Sequence, residues 1–399
     1  MPLPYALMTL LYAALAALVA VDAAAAALGL VPFFSGLRWL RVHPITLGIG
    51  AQLAFGVMPG LVAARAGLPR PTVRWDVWLC LNVGLLLLLI GVPLVQPTPI
   101  AAGGLLVMLS VALQAPALIR HAVPDAAATA GSAPGLTGRR FYLAALAFLL
   151  VGATLGTGLW LGWTAILAVA APIEAHIHAN AFGFVALLFA GLLVDLHADI
   201  IGQPLAWPRS VPVIFWLMTL GAMGLVLGPW LNAMFLTMPG VLLQQVATIW
   251  LLLNVVKPLV ASGRLRQPGP LHLVTAYAWF LAPIFVAPLV MTGAIEGTAI
   301  EQSAPQALMY GWVLQFCRAA VPFLLRRWLL PAEPTTLGGG WASLVLVHAG
   351  AATLWASMFA LGVQAPLVAV AYLLWAVALA GFAREVAGIV GRASSGAAA

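Results

Sequence analysis

Glu174, His176 and His178 stand together in "EAHIHANAFGF", at the head of an apolar run, in a chain with only seven histidines among 399 residues. Neutral imidazole is the commonest metal ligand, and a carboxylate can complete such a site. Spacing limits what the three can do together. Residues two apart on a helix point about 200° apart at 3.6 residues per turn. His176 and His178 therefore share one small site only if the first turn is irregular. Glu174 and His178 are four apart and share a face. Glu174 has a second reading: behind Pro172 it lies in the first helical turn, where the macrodipole stabilises negative charge. His178 is the first candidate ligand for a metal ion or haem iron, and His176 the second.

A matching polar position opens two other apolar runs. His43, in "RVHPITLGIG", is followed by Gly48 and Gly56, five and thirteen residues on. His178 is followed by Gly183 and Gly191 at the same offsets. Gln306, in "APQALMYGWV", has Gly311 at the first offset and Ala319 at the second. Small-residue helix packing is one account of the pattern; three repeats, each aiming one polar side chain inward at one depth, is the other. His43 precedes Pro44, which biases it away from helical geometry, so an interfacial cap competes with a ligand role. His272 and His348 form a possible second, inner site. A hydrogen bond to a neighbouring helix is the competing reading for His348, which lies roughly 10 Å deep at 1.5 Å per residue. His121 and His197 read as interfacial, and Glu296 and Glu301 as solvated loop carboxylates. Arg318, inside an apolar run, needs a partner; Asp22, Asp195 and a cofactor carboxylate are the options.

The elements that must hold these residues are membrane helices. Hydrophobic residues make up 64% of the chain and charged residues 7%, against about a quarter charged in an average soluble protein. Runs of the ~20 residues needed to cross the hydrocarbon core fall near 6–34, 43–64, 75–95, 99–119, 141–164, 172–196, 210–230, 234–256, 271–295, 303–325, 341–363 and 366–389. The predicted fold is all-α, a single domain of twelve transmembrane helices. The four-helix recurrence predicts a pseudo-three-fold bundle with arcs near 1–121, 140–258 and 270–390, and residues 121–140 form a flexible inner loop. Arg65, Arg70, Arg74, Arg139, Arg140, Arg264, Arg326 and Arg327 fall in loops of one side, with Arg38 and Arg41 on the other. The positive-inside rule then puts both termini in the cytoplasm, with His43 and His178 at the outer face. The net charge of +7 reports topology and not nucleic-acid binding. Cys80 and Cys317 are isolated, and the sequence has no phosphate-binding glycine loop and no zinc-type cysteine spacing.

Twelve helices with histidines at the outer ends of the second and sixth resemble the catalytic subunit of the haem–copper oxidase and nitric oxide reductase superfamily. "HANAFGF" is similar to that family's sixth-helix segment, which implies a copper-ligand role for His178. "RVHPITLGIGAQLAFGV" is similar to its second-helix segment, which implies a low-spin haem ligand at His43. "QALMYGWV" is similar to its tenth-helix segment ending in Gly-Trp. The family carries two histidines before that Gly-Trp; Ala304 and Gln306 stand there instead, and the seventh run, "RSVPVIFWLMTLGAMG", has no histidine. "HIHANAFGFVALLFAGLL" also resembles the NnrS family of haem- and copper-associated membrane proteins. The expectation is a bacterial inner-membrane protein that binds haem b, with copper as a second cofactor. It would be a degenerate relative handling electrons or a diatomic gas such as nitric oxide, an oxidoreductase if it is an enzyme, served by an electron-donor protein. A transporter or metal-handling permease with a histidine-lined outer site, and a cofactor-free scaffold, are the alternatives.

Overall fold

The computed structural model describes residues 1–31, 38–120 and 138–396. Every regular element among them is helical. The long helices are α1 Leu3–Ala27, α2 Arg38–Arg65, α3 Trp75–Gly91, α4 Pro97–Arg120, α5 Arg139–Leu161, α6 Pro172–Ile200, α7 Val211–Leu231, α8 Met234–Ala261, α9 Pro268–Met291, α10 Thr298–Leu329, α11 Trp341–Phe359 and α12 Gln364–Ser395. Eleven are long and apolar enough to cross a bilayer, and α3, with 17 residues, is shorter. The chain is an all-α, multi-pass membrane protein whose outward-facing apolar side chains meet lipid. Span ends differ from the sequence expectation. The first helix stops at Ala27, and α10 runs from Thr298 to Leu329, beyond the 303–325 expected. His121, residues 121–137 of the expected loop and residues 32–34 of the first expected span lie outside the described residues.

The chain divides into two compact units, Met1–Gly56 with Gly263–Ala399, and Val57–Ser262. The first holds α1, the start of α2 and α9 to α12. The second holds the end of α2 and α3 to α8. One boundary falls inside α2; the other falls ahead of α9, between the arcs expected at 140–258 and 270–390.

Local sequence sets the helix ends. Pro172 and Pro268 open α6 and α9, where a missing N–H is harmless. Gly162 and Gly202 close α5 and α6 in the left-handed conformation, with φ of 81° and 72°. Helix pairing in the second unit uses small residues. A Cβ on Gly84 of α3 would lie 2.9 Å from the Gly103 carbonyl oxygen of α4, and one on Gly240 of α8 would lie 2.8 Å from the Leu225 nitrogen of α7. Backbones approach this closely only without side chains between them, the usual device where lipid offers no hydrophobic contrast.

Three helices are set apart by burial. In the most apolar stretches of α2, α6 and α10, 72%, 83% and 100% of residues are buried, while no other span of that length exceeds 50%. These are the three helices that carry His43, His178 and Gln306.

Candidate functional site

Each of the three buried helices contains a π-helical turn just after its polar residue: Pro44–Gly50 in α2, Ala179–Val185 in α6 and Met309–Leu314 in α10. A π turn bonds i to i+5 and so carries one residue more than an α turn. This explains the offset of five between polar residue and glycine. Discounting the extra residue, the glycine lies about one turn on from the polar residue, and the second small residue lies eight residues beyond the first.

The glycines share a packing role. A Cβ on Gly48 would stand 2.5 Å from Tyr12 Cγ of α1, on Gly183 2.4 Å from Phe148 Cγ of α5, and on Gly311 2.7 Å from Trp279 Cγ of α9. In each case the preceding helix lays an aromatic ring across the π turn. The second glycine repeats the contact: Gly56 receives Tyr5 and Gly191 receives Tyr142. Ala319 occupies the third such position.

His43 is helical, with φ −72° and ψ −30°, contrary to the bias expected ahead of Pro44. The π turn that Pro44 opens widens the helix and accommodates the ring. Half-buried, His43 stacks on Trp39 with ring centroids 4.2 Å apart, and its Nδ1 lies 2.7 Å from the Trp39 carbonyl oxygen. His176 and His178 diverge as the 200° rule requires. His176 Nδ1 meets the Gly152 carbonyl of α5 at 2.8 Å, and His178 Nδ1 meets the Leu225 carbonyl of α7 at 2.6 Å. A carbonyl only accepts, so Nδ1 carries the proton in all three rings. In a neutral imidazole that leaves Nε2 as the lone-pair nitrogen. Asn180 braces His176 by donating to its carbonyl at 2.8 Å. The π turn of α6 is supported from α8, where fully buried Gln244 donates to the Phe182 carbonyl at 2.8 Å. Glu174 is exposed. Among the described residues no three His, Cys, Asp or Glu side chains are grouped to hold one ion; Glu174, His176 and His178 share a short segment but do not converge.

Gln306 is buried, and its Oε1 has no hydrogen-bond partner among the described residues. Tyr310, one turn on, stacks on Trp375 of α12 at 4.5 Å, with an interplanar angle of 16°.

His348 takes the hydrogen-bonding role. Trp279 Nε1–H donates to its Nδ1 at 2.9 Å. Tryptophan only donates, so the His348 proton is on Nε2, which lies 2.8 Å from Thr275 Oγ1. Thr275 in turn donates to the Leu271 carbonyl at 2.7 Å. Gln315 Nε2 reaches Thr275 Oγ1 and His348 Nε2, both at 3.0 Å. Two N–H groups repel, so the His348 contact is satisfied only with the amide oxygen turned toward it. In either orientation one end of the fully buried Gln315 amide is unsatisfied. His272, one turn below Thr275, meets Ser343 Oγ at 3.0 Å. The inner site is thus a hydrogen-bonded brace across α9, α10 and α11.

Sequence reasoning misassigned the partner of Arg318. It pairs with Glu385 of α12, which also takes Arg326 at 2.8 Å. Asp195 is committed elsewhere: it accepts from Tyr142 Oη and Gly138 N at 2.8 Å each and lies 3.6 Å from Arg65 Nε. Asp22 lies on α1 and is buried. Glu385 is the one acidic residue in the last apolar run, a signal the sequence offered. His197 is buried, with Nδ1 donating to the Gln203 carbonyl at 2.9 Å. Glu296 and Glu301 are exposed, Glu296 in the loop and Glu301 in the first turn of α10.

No protein-family model and no curated protein matches the chain.

Proposed function

We propose that this chain is a haem-binding membrane protein that carries electrons or handles a diatomic gas such as nitric oxide, a divergent relative of the haem–copper oxidase, nitric oxide reductase and NnrS group. One observation carries the reading. His43 and His178 stand at the heads of two buried, π-turned helices with Nδ1–H spent on a backbone carbonyl. That is the tether by which proteins fix the tautomer and ring orientation of a ligating histidine, with Nε2 as the lone-pair nitrogen. The donor chemistry fits haem, whose iron His178 or His43 would hold by a single imidazole. It does not fit copper, which needs several convergent donors; the described residues group no such set, and the proposal does not extend to a copper centre.

Bound haem would supply one-electron chemistry and a coordination position for a small gas. The protein's own part is to aim the imidazoles. The Leu225 carbonyl holds His178 against α7, Gln244 supports the π turn below it, and Trp39 stacks on His43. The arginine bias supports both termini in the cytoplasm; a bacterial plasma membrane and an electron-donor protein as partner belong to the same proposal.

The test is an optical spectrum of protein purified from membranes, oxidised and then dithionite-reduced. A Soret band with sharp reduced α and β bands, lost in His178→Ala, is the expected result. A haem-free preparation, or full haem retention in both His43→Ala and His178→Ala, overturns the reading. Stoichiometric zinc or copper without haem redirects it to a metal permease.

A further inference from the structure

Helix α10 carries a row of buried polar atoms for which the protein supplies no partner. Gln306 Oε1, Tyr310 Oη, one end of the Gln315 amide and Arg318 Nε lack a hydrogen-bond partner among the described residues. All four residues are 7% exposed or less. Their spacing is four, five and three residues. The step of five crosses the Met309–Leu314 π turn, so it amounts to one turn, and the four fall on one stripe. His272 Nδ1, on the facing helix α9, is a fifth such atom.

Native proteins leave very few buried polar groups unpaired, and ordered water is the usual partner of those left over. We propose that α10 lines a file of bound water running from the Arg318–Glu385–Arg326 cluster to Gln306. The stripe spans 12 residues, roughly 18 Å at 1.5 Å per residue. At hydrogen-bond spacing that length holds about six waters. The file opens at the arginine-rich end, where the Glu385 side chain is 21% exposed and the Arg326 side chain 16%. Its wall is a sequence of donors and acceptors: the paired charges, His272 with Ser343, the Thr275–Gln315–His348 group, and the Tyr310 hydroxyl. Trp279 holds His348 with Nδ1 as acceptor, so His348 is a fixed donor in that wall and not a proton carrier. The file brings water to the π turn of α10 at a depth that composition alone would make dry. It depends only on residues of the first unit and stands whether or not the chain binds haem.

Radiolytic hydroxyl labelling of the whole protein in ¹⁸O-water tests it, because millisecond radiolysis marks side chains that touch bound water. Tyr310 and Tyr142 are both fully buried, but the Tyr142 hydroxyl is already bound to Asp195. The expected result is ¹⁸O at Tyr310 at several times the level at Tyr142 and at buried Phe189. Gln315→Leu should cut the Tyr310 label at least about threefold and leave Phe189 unchanged. Equal labelling of Tyr310 and Phe189 in the wild-type protein overturns the proposal, and that measurement decides the matter even if the variant does not fold. A Tyr310 label that is insensitive to a folded Gln315→Leu also overturns it, because the water would then not be continuous along the stripe.

Discussion

Adding one methyl group at each of three glycines tests whether the π turns of α2, α6 and α10 are built alike. In Gly48→Ala, Gly183→Ala and Gly311→Ala the new Cβ would lie 2.5, 2.4 and 2.7 Å from Cγ of Tyr12, Phe148 and Trp279. Ordinary carbon–carbon contact is about 3.5–4.0 Å, so each ring must retreat by about 1 Å. The Cβ atoms of the same three residues would lie at 2.6, 2.6 and 2.9 Å, and no rotamer change moves a Cβ, so the helices themselves must part. Overpacking of this kind costs about 1–3 kcal/mol. The intrinsic gain of alanine over glycine in a helix, about 1 kcal/mol, offsets part of it. Gly391→Ala is the internal control: nothing lies within 4 Å of its Cβ position in α12, so it should be neutral or stabilising. Thermal unfolding in detergent, followed by tryptophan fluorescence, measures the four variants side by side. If the three glycine variants melt with Gly391→Ala, the aromatic contacts are not what fix these turns.

Two further outcomes follow from the buried polar groups. Glu385→Ala leaves Arg318 and Arg326 without their shared carboxylate. Removing one partner of a buried pair costs about 3–5 kcal/mol, and the partial exposure here reduces that to about 2–3 kcal/mol, measurable by the same melt. Arg318→Leu combined with Glu385→Leu should cost less than the two single losses summed; full additivity would show that the pair does not interact. Gln244→Leu strips the donor from the Phe182 carbonyl inside the α6 π turn and should cost about 1–3 kcal/mol. It should also speed amide exchange in residues 179–185, and unchanged exchange there would mean the turn holds without α8.

How legible the site was differs from residue to residue. The pairing of a polar residue with a glycine five positions on was visible in "HPITLG", "HANAFG" and "QALMYG". The reason for five and not four was not, because the extra residue of a π turn belongs to backbone hydrogen bonding and leaves no composition signal. The divergence of His176 and His178 followed from helix geometry and holds. The helical state of His43 was missed because the rule for residues before proline assumes a turn of normal width. Arg318 was matched to the wrong acids because only packing decides which helices become neighbours.

Composition and periodicity alone determined the solvent of this protein and its all-helical class, because a chain this apolar must satisfy its backbone within helices in order to cross lipid. Which imidazole meets which carbonyl, which carboxylate answers Arg318 and which polar atoms of α10 go without a protein partner were decided only by the tertiary structure. Those are relations between helices distant in sequence, and a single apolar helix is compatible with many neighbours until close packing of rings against glycines selects one.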